Sequence, residues 1–377
     1  MSRRLAAGLL ALGACAAGHP APSLVPEPVP GEIEWTVLLM GDGGSPDERD
    51  DPTFGALAAA ARQAPDRTTV VFLGDNVYPD GLPPDGTPER AAAERVLEIH
   101  LAALQRSGTR GYFLLGNHDW RTHEGDPDGR ATARRQEAWL ETRADGRARV
   151  MPAGACPGPV VEDVGGLRLV FLDTEWWLQD RAKWAPAAPC EPGDSAGVVR
   201  ALESAIAGAG DRPVLALGHH PLASGGRHGG HFNWRHHLFP LTDLEPWAWV
   251  PLPIVGSIYP VLRMNGISDQ DFSGARNRAL RGAFTEAFAR HPPALYASGH
   301  EHTLQVIGGA HPPLLLVSGT GSTDHGSYVG WTDSTRYASV ASGWIRVDLL
   351  AGGRLRVGVI EVDRAGRPRE TWSDLVR

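Results

Sequence analysis

From residue 33 onward the chain alternates short apolar runs with polar turns that contain glycine. Trp35 to Met40, Thr69 to Leu73, Gly111 to Leu115, Val214 to Leu217 and Ala294 to Ser298 are near-continuous runs that stop abruptly. Runs this short, ending in turn residues, mark buried strands feeding loops in which function concentrates. Between them the period changes. Leu97, Leu101 and Leu104 are spaced by four and three, and Leu280, Phe284 and Phe288 by four and four, as on one face of a helix. The opening alternation is therefore βαβαβ. A second set, Leu167 to Leu172, Leu314 to Val317, Trp344 to Leu350 and Leu355 to Val362, lacks helices between its last members. The mixture predicts an α/β fold of two packed sheets with helices outside. No fixed-period repeat or low-complexity linker interrupts residues 33–377, so one domain is expected there.

Each of the five runs named first ends in a loop bearing chemistry. These loops are Gly41-Asp42-Gly43-Gly44, Gly74-Asp75-Asn76-Val77-Tyr78, Gly116-Asn117-His118-Asp119, Gly218-His219-His220-Pro221 and Gly299-His300-Glu301-His302. Carboxylate, imidazole, amide and phenol groups together suit transition metals of borderline hardness, whereas an all-oxygen set would suit magnesium or calcium. A glycine before each of these residues lets the chain turn sharply and approach a metal or a phosphate. Any one of these short motifs occurs often by chance. Five in order, each at a strand end, do not.

This ordered set resembles the calcineurin-like metallophosphoesterases, and within them the purple acid phosphatase branch, over residues 33 to about 325. Most of that superfamily has Asp-x-His in the first motif. Here Gly44 takes the third position, and Tyr78 stands where the purple acid phosphatases supply a phenolate. The resemblance implies a four-layer α/β/β/α sandwich of two mixed sheets, with a metal site in loops at the C-terminal strand ends. It implies one metal held by Asp42, Asp75, Tyr78 and His302, and a second by Asp75, Asn117, His219 and His300, with Asp75 bridging. A phenolate stabilises a trivalent ion, so Fe(III) is expected in the first position and divalent Fe, Zn or Mn in the second. The implied reaction is hydrolysis of a phosphate monoester in a small phosphorylated substrate by a metal-bound hydroxide, with His118 as the leaving-group acid. Asp119 is expected to orient His118. His228, in a glycine-rich stretch expected to be mobile, resembles a family histidine on the leaving-group side. His220 reads as a pocket-wall residue. A phosphodiesterase or nucleotidase is the alternative enzyme, and a non-catalytic cell-surface binding lipoprotein is the alternative of another kind.

Charge and termini refine this picture. A net charge of −8 argues against nucleic acid as a partner, which would demand a basic surface. Ser2-Arg3-Arg4 followed by the apolar Leu5 to Ala14 reads as an export signal too short to span a bilayer. Leu12-Gly13-Ala14-Cys15 looks like a bacterial lipobox, so residues 1–15 are expected to be a lipoprotein signal ending in lipidated Cys15. A plain signal cleaved near Ala17 is the alternative. The lipoprotein reading predicts an exported cell-envelope protein, on the periplasmic or surface face, held to the membrane by its N-terminal lipid. Residues 16–32, with prolines at 20, 22, 26, 28 and 30, form an extended tether. Cys156 and Cys190 then remain as an even pair, a candidate disulfide with two separate thiols as the alternative.

An insertion around residues 229–275 does not fit a minimal phosphatase. Within it, Trp247 to Leu262 has no charged residue and includes two tryptophans, a tyrosine and three prolines. The prolines are expected to prevent a regular helix and so a membrane span. The plain expectation is a loop over the sheet edge. The sharper one is an interfacial patch dipping into the bilayer, or accepting a lipid-like leaving group.

Overall fold

Four parallel strands, their side chains alternating between two apolar layers, begin the fold in the computed structural model, which describes residues 22–45, 51–121, 129–179, 189–243, 247–322 and 327–376. The expected signal with lipidated Cys15, and the start of the tether, lie outside these residues. In chain order come β1 (Ile33–Met40), α1 (Pro52–Ala61), β2 (Thr68–Leu73), α2 (Arg90–Ser107), β3 (Arg110–Leu114), α3 (Gly129–Arg143) and β4 (Ala148–Val150). The strands are paired in sequence order, so each helix is a crossover between parallel neighbours.

Next come β5 (Val160–Val164), β6 (Leu167–Phe171), α4 (Glu175–Leu178), α5 (Ser195–Ala207), β7 (Val214–Leu217), α6 (Trp234–Leu238), α7 (Ile258–Met264), α8 (Ala275–Arg290) and β8 (Leu295–Ser298). The chain ends with β9 (Leu304–Gly308), β10 (Leu314–Ser318), β11 (Thr335–Ser339), β12 (Gly343–Leu350), β13 (Leu355–Val362) and β14 (Pro368–Leu375). One seven-stranded sheet has the order β14-β13-β12-β1-β2-β3-β4 and the other β11-β9-β10-β8-β7-β6-β5. Both are mixed, as expected: β12 is antiparallel to β1, and β9 to β10.

The period of two explains the layers. In β1, Val37 and Leu39 join Leu169, Phe171, Leu215 and Leu217 in an apolar layer between the sheets. Leu38 and Met40 point the other way, into a core that contains Phe54 and Leu57 of α1 and Leu97 and Leu104 of α2. Because β1, β2, β3, β7 and β8 are covered on both faces, they read as unbroken apolar runs. The parallel strands of both sheets carry their C-terminal loops toward each other, and this places the five motif loops at one end of the sandwich. Cys156 and Cys190 form a disulfide with Cα atoms 5.5 Å apart.

The insertion differs from the expected loop. It contains α6, 3-10 turns and α7, and Pro260 sits inside α7. Pro260 is in the first turn, where its missing N–H has no helical acceptor to lose. Among the described residues no helix is long and apolar enough to cross a membrane.

One buried histidine predicts how stability depends on pH. His100 of α2 packs against Phe54, Phe72 and Phe113, and its Nδ1 meets Val96 O at 3.0 Å. Burial lowers its pKa from 6.5 to about 4. The unfolded chain therefore takes up this proton first. Stability present above pH 6.5 is lost as pH falls toward 4, by about 3 kcal/mol for this residue. The His100→Phe variant is expected to lose less stability than the parent across that window in melts at stepped pH. Equal losses would remove His100 as the cause.

Candidate functional site

The turns that end the motif strands are tight. Asp42, Asp75 and His300 all adopt left-handed backbone, at φ of 58°, 53° and 66°. For a non-glycine residue this costs on the order of 1 kcal/mol or more, and such strain persists where surrounding structure fixes it, typically at functional sites. Glycine is required beside these residues. A Cβ on Gly116 would collide with the carboxylate and backbone nitrogen of Asp75, and one on Gly299 with the Asp42 carboxylate.

All seven expected metal ligands converge. Tyr78 Oη lies 3.1 Å from Asp42 Oδ1, 3.2 Å from Asp75 Oδ2 and 3.1 Å from His302 Nε2. His302 Nε2 is 3.5 Å from Asp42 Oδ1. On the other side of Asp75, its Oδ2 is 3.4 Å from His219 Nε2. Asn117 Oδ1 is 3.1 Å from that nitrogen and 2.9 Å from His300 Nδ1. Asp75 thus belongs to both groups. Donors bound to one octahedral ion at about 2.1 Å, at right angles, stand about 3 Å apart.

Backbone carbonyls choose which imidazole nitrogen faces the centre. His219 Nδ1 donates to Leu73 O at 2.8 Å, which leaves Nε2 as the lone-pair nitrogen. The single proton of neutral His300 cannot serve both Gln270 O, 3.0 Å from Nε2, and Asn117 Oδ1, 2.9 Å from Nδ1; donated to Gln270 O, it leaves the lone pair on Nδ1. Burial, then the charge of neighbouring histidines, drives the pKa of His300 well below the ordinary value and keeps it neutral. A lone-pair nitrogen and the amide oxygen of Asn117 therefore face each other at 2.9 Å with no proton between them. That contact is repulsive unless a cation sits against both. The residues present fit a metal.

Charge among the acids points the same way. Burial pushes Asp42 well above the usual carboxylate range, with Asp75 adding to the rise. Burial and then the Asp42 and Asp75 carboxylates push Tyr78 well above its ordinary value, so without a cation it stays a phenol. Burial opposes ionisation of Asp75 too, but His219 and His118 outweigh it and hold the carboxyl below the usual range. Burial alone would lower His219, yet Asp75 raises it to about 10. Bound cations would replace that proton and reverse the penalties on Asp42 and Tyr78.

His220 is placed differently. Thr174 Oγ1 accepts the N–H groups of His219 (3.1 Å) and His220 (3.0 Å), so its own hydrogen goes to His220 Nδ1 at 2.8 Å. His220 Nε2 then donates to Gln270 Oε1 at 2.8 Å. Both ring nitrogens are used, so His220 braces the pocket although it sits beside His219 and His300.

His118 borders the centre: its N–H donates to Asp75 Oδ1 at 2.9 Å, and its Nε2 is 4.0 Å from Asp75 Oδ2. Asp119 does not do the orienting job expected of it. Its carboxylate accepts Gly116 N–H (2.9 Å), Asn76 N–H (3.0 Å), Asn76 Nδ2 (2.9 Å) and Gln136 Nε2 (2.7 Å). It clamps the second motif loop to the third, and burial raises its pKa to about 6. His118 Nδ1 instead donates to Pro79 O at 2.6 Å.

His228 lies over His300, with ring centroids 4.0 Å apart, and its Nδ1 is 3.0 Å from Asp271 Oδ1. The expected mobile loop is pinned. Glu301 accepts the N–H groups of Arg227 (3.1 Å) and His228 (3.0 Å) and the Ser224 hydroxyl (3.0 Å). Gly226 pairs with Val329 in a β-bridge. Sequence reasoning missed Thr174, Glu301, Gln270 and Asp271. Glu301 stands inside the last motif and its carboxylate was a usable signal; the other three join the site only through the fold.

A family model described as calcineurin-like phosphoesterase matches residues 36–304. No curated protein sequence matches. Three similar solved structures share the fold at low identity. GAP50, described as the anchor in the inner membrane complex of Plasmodium, is 14% identical with a TM-score of 0.54, over 91% of this chain and 88% of that one. A purple acid phosphatase from yellow lupin (Lupinus luteus) seeds is 12% identical at TM-score 0.51, over 90% of this chain and 53% of the plant chain. PhoD is 12% identical at TM-score 0.53, over 95% of this chain and 70% of that chain. The chain therefore spans about half the length of the lupin protein.

Proposed function

Because the chain belongs to the calcineurin-like phosphoesterase family, whose members depend on two metals, we propose that it hydrolyses phosphate monoesters in the manner of the purple acid phosphatases. The facing lone pairs of His300 Nδ1 and Asn117 Oδ1 carry the metal part of this reading. Asp42, Asp75, Tyr78 and His302 would hold one ion, Fe(III) because a phenolate favours a hard trivalent cation. Asp75, Asn117, His219 and His300 would hold the other, a divalent Fe, Zn or Mn. When bound, the ions supply Lewis acidity toward the phosphoryl oxygens and lower the pKa of water.

The remaining steps belong to side chains. With Nδ1–H held by Pro79 O, His118 presents Nε2 as the atom that carries a proton to the leaving oxygen. His228, held at Nδ1 by Asp271, offers its own Nε2 on the side of His300. Asp119, Thr174 and Glu301 keep the loops in register and touch no reacting atom. The lipobox-like Leu12-Gly13-Ala14-Cys15 supports an exported lipoprotein held at the membrane by lipid on Cys15.

A binding protein without turnover is the second reading, favoured by the Plasmodium neighbour with this fold that is described as an anchor. The test is hydrolysis of p-nitrophenyl phosphate and bis(p-nitrophenyl) phosphate by metal-loaded protein. A kcat/KM for the monoester at least tenfold higher is expected. The reverse preference would make the chain a diesterase, and no turnover of either would support the binding reading.

A further inference from the structure

The insertion between β7 and α8 exposes a group of large apolar side chains, the kind of surface that marks an interaction site. Trp247 is 77% exposed and Ile254 87%, and Trp249, Val255 and Tyr259 are also exposed. Of the seven residues of α7, Ile258, Tyr259, Val261, Leu262 and Met264 are exposed, while Pro260 is buried and the Arg263 side chain is 11% exposed. At about 100° per residue, those five side chains cover roughly 220° of the helix circumference. An apolar arc that wide exceeds the stripe a surface helix presents to its own core and suits immersion in a fluid apolar phase.

Three further observations choose the fluid phase. From Trp247 to Ser268 the only charged residue is Arg263, whose guanidinium is bonded to Asp271. The exposed Arg235 lies 5.7 Å from the Trp234 ring and 5.8 Å from that of Trp249, a cation among tryptophans as found where protein meets lipid headgroups. The leash is also short. Ser23 O accepts Ser373 N–H at 2.8 Å, which ties the start of the chain to β14. The stretch from Cys15 to Ser23 can reach at most about 28 Å. A lipid on Cys15 would therefore hold this domain against the bilayer.

We propose that residues 232–243 and 247–267 dock on a lipid bilayer by inserting this apolar surface at the headgroup level. The docked face borders the catalytic side, since Arg263 Nη2 lies 3.1 Å from His228 Nδ1 and Phe272 N–H donates to His228 O at 2.9 Å. Between residues 232 and 267 the charges of Arg235 and Arg263 are balanced by Asp243 and Glu245, and a patch without net charge on a protein of net charge −8 calls for zwitterionic lipid and apolar contact rather than charge attraction.

Residues 22–377 contain both complete sheets and all the site residues and omit the signal and lipid, so they isolate the patch. This protein is expected to co-sediment with phosphatidylcholine vesicles, with a partition coefficient that changes less than about threefold in 0.5 M salt. A Trp247→Ser, Trp249→Ser, Ile254→Ser variant should lose at least about tenfold in partitioning. Brominated phosphatidylcholine should quench tryptophan fluorescence of the parent, a readout independent of how the variant folds. Absence of both vesicle binding and quenching, or equal binding by parent and variant, would overturn the proposal. A parent dimer that the triple substitution dissolves would also overturn it, by assigning the patch to a second copy.

Discussion

Replacing Asp75 by asparagine is expected to lower kcat/KM for a phosphomonoester by at least about 10⁴-fold, equivalent to about 5 kcal/mol, and to release both metals. The side chain keeps its shape, and an amide oxygen can still accept His118 N–H where Asp75 Oδ1 does, so the loss is one of charge. Asp75 Oδ2 stands between Tyr78 Oη and His219 Nε2 and is the anion common to both ligand groups. The metal-free fold should survive, because Asp42 is relieved of a neighbouring charge that raises its pKa. Metal analysis, a thermal melt and steady-state kinetics decide it. Two retained metals with activity within tenfold of the parent would contradict the shared-ligand assignment.

The second large effect concerns His118 and depends on the substrate. His118→Ala should leave metal content unchanged, because the imidazole is not among the ligands. It should lower kcat by about 10²–10⁴-fold for alkyl phosphates, whose leaving oxygen needs a proton. For p-nitrophenyl phosphate, whose leaving group departs as a stable anion, the loss should be much smaller. A series of leaving groups of graded pKa measures this directly. An equal loss across the series would make His118 a phosphate-binding residue and end its assignment as acid.

The convergence of the seven candidate ligands was legible in the sequence because their loops follow strands buried on both faces, which leave a near-continuous apolar run and then a glycine. The same physics located β2, β7 and β8 to within one residue and β1 to within two. Strands with a polar face gave no such signal. β14 reads Pro-Arg-Glu-Thr-Trp-Ser-Asp-Leu and β5 Val-Val-Glu-Asp-Val, and both are edge strands. Asp119 was misassigned because adjacency in sequence suggested contact with His118, whereas the turn directs its carboxylate down onto Asn76 and Gln136. Asp271 and Gln270 lie far from the motifs in sequence and reach His228 and His300 only through the insertion. The prolines of that insertion were expected to prevent a regular helix, yet a short one begins just before Pro260.

The central claim is that two unlike metals share Asp75, one of them bound by Tyr78. Metal content measured together with the visible spectrum of residues 22–377 tests it most directly. Two metals per chain, at least one of them iron, and a broad visible band that Tyr78→Phe abolishes are expected. A single metal, or two metals without iron or colour, would contradict it.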